Sequence, residues 1–400
     1  MPPKAAEPLG GTLLPLAVTF AIQTLVAFAI YSAPVMAPVA AHDLGVPAAA
    51  VGYFISLAYV GSMLGSAAAG GWVARAGPIR VSQVGLALCF AGLALAASGW
   101  LPLVLAGAFL IGLGYGPTTP ASSAILVRTA PPGAFSLIFS IKQTGVPAGG
   151  VLAGALVPLL VLAVGWQWTA LVVGASCLAL ALAVAPVRPR YDVELNPGAP
   201  VSLAAAFQPV RLVARIPALR EMAVISFVYG GVQITLVTYL VSFLVESFAL
   251  ALVFAGGVMA VSQAASVAGR IAWGVLADRA LGRRRTLGLL GLGMGACALA
   301  TLAASPEWPG WLLIVFASVF GATAVGWNGV FLAHVARVSP PGQVSQATGG
   351  CLAITFLGVV LTPLAFNGVL ALGGSYAHAY AVLGAPSLAI GAWLLLRGGR

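Results

Sequence analysis

Long apolar runs separated by short breaks, which carry most of the few charges, make up nearly the whole chain. Twelve runs are long enough to cross a hydrocarbon layer of about 30 Å, which takes roughly 20 apolar residues in a helix. They lie near residues 12–40, 49–73, 81–98, 102–127, 135–161, 166–187, 222–245, 250–277, 286–303, 311–336, 344–371 and 376–396. In lipid such runs must satisfy their backbone polar groups internally, so the pattern predicts an all-α membrane protein of twelve transmembrane helices. One polar connection is much longer than the others. It divides the chain into a six-helix bundle at 1–187, a central loop at 188–220 and a second six-helix bundle at 221–400.

Composition excludes the soluble alternatives. The chain is 61% hydrophobic and 6% charged, whereas ordinary globular domains are about a quarter charged. Its 50 glycines and 27 prolines would break a soluble bundle, but membrane helices tolerate both. The four cysteines, Cys89, Cys177, Cys297 and Cys351, fall in four different spans with no metal-ligand spacing. They read as packing residues, and no metal or other cofactor is expected.

A net charge of +10 raises the question of nucleic acid, and the placement of the charge answers it. If both termini are cytoplasmic, 16 of the 18 Lys and Arg residues fall in cytoplasmic loops or tails, among them Lys4, Arg75, Arg80, Arg128, Arg337, Arg397 and Arg400. The external loops then hold none, as the positive-inside rule expects. The basic balance is therefore topology. The chain is expected to sit in the cytoplasmic (inner) membrane as a multi-pass monomer, with the lipid bilayer and not nucleic acid as partner. The N-terminal MPPKAAEPLGG lacks a convincing cleavage site and reads as retained. Of the acidic residues, Glu7, Asp192, Glu194, Glu221 and Asp278 are placed inside, and Asp43, Glu246 and Glu307 outside.

The halves repeat. Arg128-Thr-Ala-Pro131-Pro132-Gly133 recurs as Arg337-Val-Ser-Pro340-Pro341-Gly342 at an offset of 209, and Gln23 matches Gln233 at 210. Gly71-Trp-Val-Ala-Arg75 matches Gly274-Val-Leu-Ala-Asp278 at 203. Parallel six-helix repeats build one large class of transporters, whose substrate site lies near mid-bilayer.

Two cations remain inside spans, Lys142 and Arg270. Lys142 lies nine residues beyond Gly133, and Arg270 eight residues before Asp278. At 1.5 Å per residue both are about 12–13 Å into their helices. A charge at such a depth costs about 2.5–3.5 kcal/mol even on a lenient insertion scale, and no carboxylate falls within a span to offset it. Two cations about 6 Å apart would also repel by about 3 kcal/mol at an effective dielectric of 20. A bound anion would relieve both costs. The plainer alternatives are a Lys142 that snorkels to the surface and an Arg270 that bonds backbone carbonyls or joins the adjacent loop.

The run Gly274-Val-Leu-Ala-Asp278-Arg279-Ala-Leu-Gly282-Arg283-Arg284 closely resembles the loop motif of the major facilitator superfamily. With twelve spans and a central loop, the resemblance covers the whole chain. It implies rocker-switch transport, with Asp278, Arg279 and Arg283 gating the cytoplasmic side. It also implies that the fifth and eighth helices meet between the halves, which would put Lys142 and Arg270 on facing walls of one cavity. The first-half copy departs from the motif, because Arg75 stands where the Asp belongs. Arg270 resembles the substrate-binding arginine on the eighth helix of oxalate–formate antiporters and monocarboxylate transporters. The run Ser140-Ile-Lys142-Gln143-Thr144-Gly145-Val-Pro147 resembles the fifth helix of cyanate-permease-like members. The resemblance therefore implies a small organic anion as substrate, a mono- or dicarboxylate, together with a co-transported proton or a counter-exchanged anion. A drug or other small-molecule exporter of the same superfamily is the alternative.

Further candidates for the lining are Gln143 beside Lys142, Tyr31 in the first span, Tyr115 among the glycines of the fourth, Tyr229 and Gln233 in the seventh, and Asn328 in the tenth. Each could equally be interhelical glue. His42, His334 and His378 lie near span ends and offer no proton relay. No span sets a His beside a carboxylate, so no catalytic residue is assigned and an enzyme is not expected.

Overall fold

The computed structural model describes residues 10–131, 135–193, 195–201, 207–341 and 343–396. Lys4, Glu7, Pro132, Gly133, Glu194, Gly342, Arg397 and Arg400 lie outside them. Among the described residues there is no β-strand. The helices are α1 Gly10–Leu44, α2 Val51–Ala76, α3 Pro78–Ala96, α4 Leu101–Tyr115, α5 Thr118–Thr129, α6 Phe135–Gln143, α7 Gly145–Ala183, α8 Arg188–Tyr191, α9 Phe207–Arg215, α10 Pro217–Phe248, α11 Leu252–Leu276, α12 Arg283–Ala300, α13 Gly310–Ala324, α14 Asn328–Val338, α15 Val344–Ala371 and α16 Tyr376–Leu396.

Among the described residues, eleven helical stretches are long and apolar enough to cross a membrane. One of them, Ile138–Tyr191, has 54 residues and is two spans in sequence. Gly165 interrupts α7 at φ 81° and ψ 164°, a left-handed backbone that glycine adopts without a Cβ penalty. The interruption falls between the fifth and sixth predicted spans, so the count is twelve, in the six-plus-six arrangement of a multi-pass membrane protein.

The fourth and tenth spans, predicted as single helices, are broken. α4 ends at Tyr115 and α5 begins at Thr118; α13 ends at Ala324 and α14 begins at Asn328. The breaks share the offset of the repeat, 209 residues between the helix ends before them and 210 between the helix starts after them. In the first copy the cause is Pro117, which has no N–H to continue the ladder. In the second, the freed carbonyl of Val325 is taken up by side chains described below.

The chain forms two compact units. Unit 1 comprises Met1–Ile30, Val60–Gly149 and Gln167–Leu203, and unit 2 comprises Tyr31–Tyr59, Gly150–Trp166 and Ala204–Arg400. Inside unit 1, α3 and α4 pack backbone to backbone, Gly85 facing Gly114 and Gly92 facing Gly107. Small residues of this kind let membrane helices approach closely. Inside unit 2, Ser56 donates to the Val360 carbonyl at 2.8 Å, and Trp166 Nε1 donates to Asp43 at 2.7 Å. Ser56, from the first half of the sequence, is thus bonded to a second-half helix of that unit.

The central connection is more ordered than a loop. α9 buries Val213 (1% exposed) and lays Pro209 over Gly350 of α15, leaving no room for a Cβ there. Too short to span, α9 leaves no trace in a search for long apolar runs. Earlier in the connection, Asp192 reaches back to the start of α3. Its Oδ1 accepts the Ile79 N–H at 2.7 Å and its Oδ2 the Arg80 N–H at 3.0 Å, while Arg188 Nε donates to Oδ2 at 3.3 Å. Gly77 precedes the helix at φ 90°, and a Cβ there would run into Asp192. A carboxylate at a helix N-terminus satisfies orphan amides and meets the positive end of the helix dipole. The loop whose motif Asp is replaced by Arg75 therefore takes its carboxylate from beyond the sixth span. Arg75 itself donates to the Ala199 carbonyl at 2.7 Å, and Arg128 to the Tyr191 carbonyl at 3.0 Å. Replacing Asp192 with Ala is expected to lower stability by about 1–2 kcal/mol, visible as an earlier thermal melt in detergent. An unshifted melt would contradict this role.

Candidate functional site

Lys142 lies in the last turn of α6 with 0% of its surface exposed, so it does not snorkel. Its ammonium donates to Gln23 Oε1 at 2.8 Å, Thr119 Oγ1 at 3.3 Å and Gln143 Oε1 at 3.3 Å. An ammonium has three donors and no acceptor, and three oxygens from the first, fourth and fifth spans receive them. All three are neutral. Thr119 also donates to Gln23 Oε1 at 3.2 Å. The glutamine must turn its oxygen toward these donors, which leaves its Nε2 buried without an acceptor among the described residues.

Arg270 lies in α11, partly buried, with Nε donating to the Val325 carbonyl at 3.1 Å. That carbonyl sits at the break between α13 and α14, and Asn328 Nδ2 also approaches it at 3.4 Å. Arg270 is close enough to act electrostatically on Tyr31, whose hydroxyl is bonded to Tyr59. Bonding of this arginine to a backbone carbonyl is thus present in the structure. Lys142 belongs to unit 1 and Arg270 to unit 2.

The polar residues singled out in the second half form one network. Gln233 Oε1 accepts Trp327 Nε1 and Asn328 Nδ2, both at 3.0 Å. Tyr229 is fully buried, donates to the Leu287 carbonyl at 2.8 Å and sets its ring edge against Trp327 at 5.9 Å. Gln23 with Thr119 in the first repeat and Gln233 with Asn328 in the second are therefore the same contact, at offsets of 210 and 209. Thr119 was not singled out from sequence, although its offset from Asn328 marks it. Gln143 is part of the Lys142 cluster, and Tyr115 lies half-buried at the end of α4.

At the loop motif, 277–281 forms a wide π-helical turn. Asp278 accepts from Arg283 Nη2 at 3.0 Å. Arg279 is exposed. Arg284 meets Glu221 at 2.8 Å and stacks over Trp393 at 5.1 Å, joining the start of α10 to the end of α16.

Twelve spans, a repeated broken fourth helix and buried polar clusters define a multi-pass helical membrane protein built from two related halves. The sequence profile of the Major Facilitator Superfamily matches residues 19–349, and the chain belongs to that family. Solved structures agree on the fold. The nucleoside transporter NupG superposes with a TM-score of 0.79 at 14% identity, covering 95% of this chain and 99% of its own. A peptide transporter solved in complex with sulfate gives 0.74 at 16% identity, covering 96% and 94%. The E. coli fucose:proton symporter gives 0.63 at 18%, covering 98% and 100%. No curated protein matches the sequence.

The Lys142 cluster makes a prediction about coupling. Gln23→Leu removes the shortest acceptor from a buried cation and should cost about 2–3 kcal/mol, as for a lost bond to a charged group. In the Lys142→Met background the same change should cost far less, because the donor is gone. Thermal unfolding of the two single variants and the double variant checks this; additive losses would contradict it.

Proposed function

We propose that the chain is a secondary active transporter of a small organic anion, a mono- or dicarboxylate, and that Lys142 and Arg270 hold the anion. The observation that carries this reading is the Lys142 ammonium, fully buried with only neutral oxygens as partners among the described residues. Dipoles can hold such a charge, but a carboxylate gains more from it in a medium of low dielectric. Arg270 contributes a planar fork suited to two carboxylate oxygens. Gln143, Tyr31 and Tyr115 complete the lining. Gln233, Tyr229 and Asn328 shape the broken tenth span.

Transport proceeds by rocker-switch alternating access of the two six-helix halves, 1–187 and 221–400, joined by 188–220. Both termini face the cytoplasm of the inner membrane, in keeping with the distribution of Lys and Arg. The Asp278–Arg283 pair, with Arg279 beside it, belongs to the cytoplasmic gate. With no carboxylate inside a span, coupling falls to anion exchange or to a proton carried by the substrate or by Lys142. The protein works as a monomer.

Uptake of labelled small carboxylates into proteoliposomes tests the reading. Arg270→Gln and Lys142→Gln should each lower the initial rate by about tenfold or more, the equivalent of one charge-assisted hydrogen bond. Undiminished uptake by either folded variant would contradict it.

A further inference from the structure

A groove of about 420 Å³ opens within unit 1 among α2, α3 and α4. Arg75, Arg80 and Trp72 are among its lining residues, with Val84, Leu88 and Leu113. Arg80, Val84 and Leu88 recur every fourth residue, so they share one face of α3. The charge therefore sits about 12 Å along the helix axis from Leu88. Val84 is 48% exposed and Trp72 37%. In a membrane-spanning chain an apolar groove of this kind is filled by hydrocarbon, and a tryptophan near the end of a span suits the headgroup level.

The charged end is not neutralised from within. Both Asp192 oxygens are taken up by the Ile79 and Arg80 amides and by Arg188. Asp192 thus binds the backbone of Arg80 and not its guanidinium, which no described residue bonds. Arg75 is fixed through Nε to the Ala199 carbonyl, which leaves the two Nη groups of its fork for another acceptor. Two guanidiniums above an apolar channel match a phosphate above an acyl chain. The second repeat has Asp278 where this one has Arg75, so the feature belongs to the first half alone.

We propose that this groove binds one anionic phospholipid, its phosphate on Arg75 and Arg80 and an acyl chain along Val84, Leu88 and Leu113. The lining of the groove also includes Pro117, the residue that breaks the fourth span two positions before Thr119. A lipid seated there packs against the break and stabilises the fold whatever the cargo.

The test uses the full-length protein in detergent, titrated separately with phosphatidylglycerol, phosphatidylcholine and glycerol 3-phosphate, and read by native mass spectrometry and thermal melting. Phosphatidylglycerol should be retained about tenfold or more over phosphatidylcholine and should raise the melting temperature. Arg80→Gln, which removes no hydrogen bond made by the side chain, should erase that preference. Val84→Trp, which fills the groove from the lipid side, should remove the bound lipid. Equal retention of the two lipids, a preference that survives Arg80→Gln, lipid that survives Val84→Trp, or the same stabilisation by glycerol 3-phosphate alone would each overturn the proposal.

Discussion

A full positive charge buried among membrane helices has to be met by dipoles or by an opposite charge, and this chain meets Lys142 with dipoles. Gln23, Thr119 and Gln143 take one ammonium hydrogen each, and they come from three different spans. The charge therefore ties α1, α5 and α6 together. Because the acceptors are amide and hydroxyl oxygens, the cluster holds the cation without cancelling it. The field of Lys142 remains available to any anion that can reach it. The orphaned Nε2 of Gln23 is the local cost of turning the amide oxygen toward the ammonium.

The two repeats solve one structural problem with different donors. Each breaks its fourth helix at the same register, and each tethers the piece after the break to a glutamine on its first helix. In the first repeat the other donor to that glutamine is the charged Lys142; in the second it is the neutral indole of Trp327. The second repeat carries its cation on α11 instead, and Arg270 bonds the Val325 carbonyl that the break sets free. Both cations thus bond the broken helix of their own repeat. Under the proposed function, an anion that drew either cation away would loosen a break and give ligand binding a mechanical outlet within each repeat. The breaks are suited to this, since a helix already interrupted can change angle without losing further backbone bonds.

The spans, the repeat and the two stranded cations were legible because each leaves a one-dimensional mark: apolar length, fixed offset, or a charge where none is expected. Gly165 also fell in a gap between predicted spans. The breaks at 116–117 and 325–327 leave no such mark, because each lies inside a predicted span with no charge to interrupt it, though Gly116-Pro117 offers a cue. The cap on α3 was invisible for another reason. Asp192 is more than a hundred residues from Ile79, and only folding brings the central connection back to that loop. Likewise α9 has helical periodicity but too little length to stand out beside membrane spans. Arg75 does depart from the loop motif, and the missing carboxylate arrives from a distant residue, Asp192.

The claim on which the rest depends is that the interior carries positive charge awaiting an anion. Thermal melting of the purified protein against matched pairs of small carboxylates and their amides addresses it directly, since a ligand that binds the folded state raises the melting point. Carboxylates should raise it, and their neutral amides should leave it unchanged. A protein stabilised equally by the amides, or by amines and not by carboxylates, would contradict it.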